Sequence, residues 1–392
     1  MLHYQFYKLT FFIFCVFFHT TLEVKDEWNT EEICDQIIKH NRVMIRADLA
    51  GCGKSYACEY LERMGYNILF VVPTNKLVQK YKNSTTLNKF FSMAINENSK
   101  MSKFDDSAYN AVCFDEIYFS DMAKLLKILK YSNDNPNKLI VATGDTDQLQ
   151  PIEQYSNTKE YKTYANDCIN LIFPHEITLH ENKRLKTKED RDKLKQMKQD
   201  IFNKDISVET LINKYFKLTN RIDESEKNIA YKNATCKNVS LAIRKKLNKA
   251  SEYEVGEILI CREYTKLGKS ILNVNFEYEI TAVSKDFLKL KDVSSDDDFD
   301  VPMFKIRSSF IYNYCCTAHS TQGSSIDGSI TIFDYKFEHV NRECLYVAIT
   351  RATDLSQVYF YNYHESNELN HQIAETYFQR KVIQYLKQDE QK

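Results

Sequence analysis

The sequence predicts an α/β protein of two domains, each a parallel sheet covered by helices, with a small β module inserted in the second. Three observations lead there. Continuous apolar runs of strand length, at residues 67–72, 111–114 and 138–143, are separated by helical patterns. Strands buried on both faces read in this way. A glycine-rich stretch, Gly51-Cys52-Gly53-Lys54-Ser55, falls between a short apolar strand and a helix. Residues 251–310 then change character, to short alternating strands.

The elements follow in order. Thr30-Glu31-Glu32 caps a helix running to about residue 39, because hydroxyl and acidic residues suit a helix start. Residues 43–45 form the strand that delivers the chain to the glycine loop, and a helix occupies 56–64. Pro73 ends the strand at 67–72. Residues 183–200 are helical and rich in lysine, a pattern expected of a solvated helix face. Residues 228–231 and 330–333 are strands of the second sheet. The inserted module has strands at 257–261, 278–283 and 287–290, and its acidic run at 294–298 is a solvated turn. The expected boundaries are an apolar N-terminal segment at 1–26, a first domain at 27–182 and a second at 183–392, with the insertion at about 251–310.

Composition limits the possible functions. The chain has 392 residues, 43% of them hydrophobic, enough for the cores of two or three domains. The net charge of −1 provides no global basic field, so nucleic-acid binding must come from local clusters. Eleven cysteines without a Cys-x-x-Cys suggest neither a disulfide framework nor a zinc site, and read as buried thiols of an intracellular protein. Residues 9–18 are apolar behind Lys8 and resemble a signal-peptide core. They are too short to span a bilayer as a helix, and no Ala-x-Ala follows. A buried strand or helix, the remnant of a longer protein or a misplaced start is expected there, and no firm membrane partner.

Four further stretches carry chemistry. In the glycine loop, backbone N–H groups can close around phosphate, Lys54 offers a point charge, and the Ser55 hydroxyl suits magnesium. The usual pattern has glycine at position 48, where this chain has Asp48. Gly51 can supply the missing freedom. Asp115-Glu116 closes an apolar strand about 60 residues later. Asp115 would hold magnesium and Glu116 would polarise the attacking water. Gly144-Asp145-Thr146-Asp147-Gln148 ends the next strand, and the Gln148 amide can sense the terminal phosphate. Thr317-Ala318-His319-Ser320-Thr321-Gln322-Gly323 and Ala348-Ile349-Thr350-Arg351-Ala352 lie in the second domain.

Taken together, these motifs resemble the superfamily 1 helicases, the RecD-like branch most and the viral branch next, from about residue 30 to 362. The resemblance implies two RecA-like P-loop NTPase domains that hydrolyse ATP with Mg2+. It implies a nucleotide site of Gly51, Cys52, Gly53, Lys54, Ser55, Asp115, Glu116, Gln148 and Gly323. Glu181-Asn182-Lys183-Arg184 resembles the motif whose arginine touches the γ-phosphate. Arg351 matches the arginine finger of the second domain, which acts when the two domains close. Single-stranded DNA or RNA is the implied partner, with replication or recombination proteins beside it. Thr74 and Asn75, Thr86 and Asn88, and Thr317, His319 and Gln322 match the family's nucleic-acid contacts. The inserted module resembles a small β-barrel, with Asn275-Phe276 where the family usually has Asn-Gly. Phe90, Phe91 and Tyr118 either stack on bases or pack the core. Two alternatives stay open: a viral-type RNA helicase with the same motor, and an inactive helicase-derived binding or scaffold protein.

Overall fold

Every side chain of β3 (Ile68–Val72), β5 (Ala111–Phe114) and β6 (Leu139–Gly144) is buried. In the computed structural model these strands stand inside one seven-stranded sheet. It runs β1 (Thr20–Thr21), β7 (His175–Leu179), β2 (Arg42–Ala47), β6, β5, β3, β4 (Ser84–Thr86), and every pairing is parallel. The structure describes residues 20–21, 25, 27–93, 104–147, 159–268, 270–295, 297–321, 323–337 and 340–362. Most of the apolar segment 1–26, together with Gln148 and Gln322, lies outside the described residues. Among the described residues no helix is long and apolar enough to cross a membrane.

The chain divides into two units, Met1–Arg184 and Leu185–Lys392. In the first, the strand order sets the chemistry. Strands β2, β6 and β5 are neighbours and point the same way, so the segments leaving their carboxyl ends lie side by side. Those segments are the glycine loop, Asp145 and Asp115. Ligands of open parallel sheets bind at such carboxyl ends. The helix Thr30–His40 is capped by Asn29, one residue before the expected cap. The Asn29 side chain accepts from the Glu32 N–H at 2.8 Å, and the Glu32 carboxylate returns a bond to the Asn29 N–H.

The second unit holds a five-stranded parallel sheet in the order β17 (Cys315–Thr317), β9 (Lys227–Ala230), β18 (Ile330–Ile332), β19 (Val358–Tyr361), β8 (Lys217–Thr219). The inserted module is an antiparallel sheet, β15 (Asp298–Pro302), β14 (Phe287–Asp292), β13 (Glu277–Val283), β10 (Ile258–Cys261), β16 (Phe310–Tyr312). A hairpin of β11 (Thr265–Leu267) and β12 (Ser270–Leu272) accompanies it. Asn275 takes the left-handed conformation, φ 67°, whereas Phe276, which stands where the family usually has glycine, does not, and its ring packs in the module's core. The lysine-rich helix begins at Lys188, later than expected. Its cap is Thr187, which accepts from the Asp190 N–H, and Glu189 and Asp190 complement the first turn.

The module is fastened to the helix Asn233–Lys246 by a buried ion pair. Arg244 donates to Glu257 through Nε at 2.7 Å and Nη2 at 3.0 Å, and the Tyr314 hydroxyl adds a bond to the same carboxylate. The Glu257 side chain is 1% exposed. Glu257→Ala would strand the guanidinium in a low-dielectric site, so a loss of about 3–5 kcal/mol in urea unfolding is expected. Replacing both partners with apolar residues should recover most of it. A loss below about 1 kcal/mol for Glu257→Ala would show that the pair contributes little.

Candidate functional site

Gly51 and Gly53 both sit at φ +80°, a region L side chains rarely adopt. Gly51 is also crowded: a Cβ there would lie 2.7 Å from Arg184 Cβ and 2.9 Å from Asn182 Nδ2. The segment 181–184 is laced onto the loop. The Asn182 amide donates to the Ala50 carbonyl, the Lys183 N–H to the Gly51 carbonyl at 2.8 Å, and the Arg184 N–H to Asn182 Oδ1 at 3.0 Å. Arg184 therefore stands beside the phosphate loop. Asp48 stays out of it. The Asp48 N–H donates to Leu179, and the carboxylate pairs with the His180 ring. The helix Lys54–Arg63 starts from Gly53 with no side-chain cap. Its first N–H groups form the kind of anion-binding end that phosphate sites use.

The Asp115 carboxylate, 2% exposed, receives three hydroxyls. Ser55 Oγ donates to Oδ1 at 2.8 Å, Thr143 Oγ1 donates to the same oxygen, and the Tyr81 phenol donates to Oδ2 at 2.6 Å. Burial pushes the carboxyl pKa up. The nearby Lys80 charge and the three hydroxyls outweigh it and hold the group below the usual carboxylate range. Thr143 and Tyr81 were not legible as site residues, because neither belongs to a spaced motif. Lys54 is almost fully buried, and its Nζ lies 3.9 Å from Glu116 Oε1. Burial works against the Lys54 charge, but the carboxylates of Glu116, Asp145 and Asp115 prevail and raise its pKa above the ordinary value. Glu116 itself adopts φ 54°, the kind of backbone strain that clusters at active sites. Cys52 is a packed thiol, donating to the Leu49 carbonyl at 3.0 Å, and burial pushes its pKa up to about 11.

Beside the loop opens a cavity of about 730 Å³. Trp28, Thr30, Ile33, Cys52, Gly53, Tyr56, His180 and Lys183 are among its walls. An aromatic and partly polar cavity adjoining a phosphate loop has room for a nucleoside.

The expected nucleic-acid residues other than Gln322 lie at or just after the carboxyl ends of strands. Thr74 follows β3 and accepts from the Leu77 N–H at 3.4 Å, with Asn75 next to it. Thr86 ends β4 and accepts from the Lys89 N–H at 3.3 Å, and Asn88 is exposed. In the second unit Thr317 ends β17 and accepts from the Ser320 N–H at 3.3 Å. His319 is half-buried, and burial lowers its pKa, so the ring is neutral at pH 7. Gly323 has φ +80°. Phe90 and Tyr118 pack in the core of the first unit, with Phe91 against it, and do not form a base-stacking surface. Arg351 is 1% exposed. Its guanidinium donates to the carbonyls of Val347 at 3.0 Å, Ser324 at 3.1 Å and Thr321 at 3.4 Å. It thus ties the last motif to the Thr317–Gly323 turn.

A phosphate loop, an Asp-Glu pair ending the next strand but one of the same sheet and a second parallel-sheet unit define the class: a RecA-like P-loop helicase core. Residues 49–253 match the family described as the viral superfamily 1 RNA helicase core domain, and the chain belongs to that family. No curated protein matches it in sequence. Among solved structures it is similar to a Pif1 helicase studied in DNA unwinding at forked duplexes, with TM-score 0.60, 17% identity, and 86% of this chain and 92% of that one covered. Bacteroides Pif1 bound to single-stranded DNA gives TM-score 0.57, 16% identity and the same two coverages. Pif1 from Candida albicans gives TM-score 0.57, 13% identity, and coverages of 87% and 95%.

Proposed function

We propose that the protein is an ATP-dependent helicase or translocase that moves along a single strand of DNA in the 5′-to-3′ direction. The observation that carries this reading is the gathering of Lys54, Ser55, Asp115, Glu116 and Arg184 around one phosphate loop. In this reading Lys54 and the loop hold the β- and γ-phosphates, Arg184 contacts the γ-phosphate, and Glu116 orients and deprotonates the attacking water. Gln148 senses the terminal phosphate, and Gly323 belongs to the nucleotide site. The Ser55 hydroxyl and the Asp115 carboxylate, 2.8 Å apart, are the hard oxygen donors that a magnesium ion takes. Bound there with ATP, the ion would neutralise charge on the phosphates. Arg351 acts as the arginine finger. Thr74, Asn75, Thr86, Asn88, Thr317, His319 and Gln322 contact the strand. Small hydroxyl and amide groups suit phosphate contacts that are made and broken at each step.

Direction rests on the RecD-like resemblance. The β insertion lies in the second unit, and the first has little room for one between Phe91 and Ala111. Two duplexes test it under excess ATP, one with a 5′ and one with a 3′ single-stranded tail. Selective unwinding from the 5′ tail is expected, and unwinding from the 3′ tail would overturn the branch while leaving the helicase reading intact. The family description favours RNA as a second reading. The motifs do not read the substrate sugar, because phosphate contacts carry no base information, so unwinding of matched DNA and RNA duplexes is what separates the two. An inactive scaffold would release no phosphate with or without single strands.

A further inference from the structure

We propose that Tyr81 is a positioning residue for Asp115, and that its hydroxyl ties the segment bearing Thr74 and Thr86 to the nucleotide site. The inference rests on reading Asp115 as the magnesium carboxylate.

The two oxygens of Asp115 are divided. Oδ1 takes the hydroxyls of Ser55 and Thr143, from the phosphate loop and from β6. Oδ2 takes the Tyr81 phenol at 2.6 Å. The direction of that bond is settled by its neighbour. Lys80 Nζ lies 2.7 Å from the phenol oxygen, and an ammonium only donates. The phenol therefore accepts from Lys80, and its single proton goes to Asp115. The ring cannot drift, since it stacks on Phe70 with centroids 3.9 Å apart and planes 2° from parallel. Phenylalanine would serve that packing equally well. The hydroxyl, buried with its ring, adds only the bond to the carboxylate and the acceptor for Lys80.

The backbone around Tyr81 makes the bond a link as well as a brace. Tyr81 sits between the helix Asn75–Val78 and β4, the two elements that follow Thr74 and lead to Thr86. Its N–H donates to the Val78 carbonyl at 3.4 Å, and its carbonyl accepts from Ser84 Oγ at 3.0 Å. The single Ser84 Oγ proton is shared with the Val78 carbonyl, the nearer acceptor at 2.6 Å. A short, internally bonded loop thus joins both strand-contacting hydroxyls to the carboxylate. A shift of Asp115 is transmitted to that loop through the phenol.

Tyr81→Phe tests this without turnover. Binding of a fluorescent ATP analogue is titrated with magnesium, and affinity for a labelled DNA single strand is measured by anisotropy with and without a non-hydrolysable nucleotide. The urea midpoint checks the fold. Loss of one hydrogen bond to a buried charge should raise the half-saturating magnesium concentration about 10-fold or more. Nucleotide affinity without magnesium should not change. The factor by which magnesium-nucleotide alters strand affinity should fall towards one, because such coupling is a shared free energy of the two sites. An unchanged magnesium titration would overturn the positioning role. A shifted titration with wild-type coupling would overturn the link. Asp115→Asn is the reference: if it too leaves the magnesium titration unchanged, the reading of Asp115 fails, and if it alone shifts, only the role of Tyr81 fails.

Discussion

Glu116→Gln is expected to cut steady-state ATP turnover by about 10²–10⁴-fold, the usual loss on removing a general base. The amide keeps the size and shape of the carboxylate, so the strained backbone at φ 54° is left as it is. Nucleotide binding should persist. Lys54 keeps the carboxylates of Asp145 and Asp115 near it, and both favour its charged form. Phosphate release with saturating single strands measures the turnover, and equilibrium titration with a fluorescent nucleotide measures the affinity. Lys54→Ala is the companion, and there hydrolysis should vanish with weakened binding. Wild-type turnover in Glu116→Gln would mean that another group deprotonates the water.

Arg351→Ala is expected to lower kcat by about 10³–10⁵-fold, the range an arginine finger contributes, with nucleotide affinity nearly intact. A finger acts on charge that develops in the transition state, so its loss falls on kcat. The present geometry adds a second effect. The guanidinium is buried on carbonyls of Val347, Thr321 and Ser324, and alanine leaves those acceptors short of a donor. A thermal melt should therefore accompany the kinetics, with a loss of about 1–3 kcal/mol expected. To act as a finger, the side chain must exchange these carbonyls for phosphate oxygens. If only affinity falls, Arg351 is a binding residue and the finger role is lost.

The elements that could be read from the chain are those whose reasons are local. A five-residue run such as Ile68–Val72 announces burial on both faces. Glycines at 51 and 53 announce positive φ, and an Asp-Glu pair after an apolar run announces a strand end. The alternation of such runs with helical patterns was enough for a parallel sheet, and the motif order was enough for the family. The helix boundaries were less legible. Asn29 caps the first helix in place of Thr30, because capping depends on which side chain reaches the Glu32 N–H. The lysine-rich helix starts only at Lys188, since residues 182–184 are held on the phosphate loop.

The rest depended on contacts between residues far apart in the chain. Nothing in the local pattern says that β6 lies between β2 and β5, yet this order sets Thr143 against Asp115. The motif resemblance put Arg184 at the γ-phosphate, but nothing near Gly51 says that Arg184 packs against that glycine, or that the Tyr81 phenol reaches a carboxylate at the end of another strand. Phe90 and Tyr118 had the composition of a stacking surface, and their burial in the core follows from the helices that cover the sheet. Periodicity and turn chemistry report how each segment meets water, whereas strand order and hydrogen-bond partners follow from how the segments compete for one another.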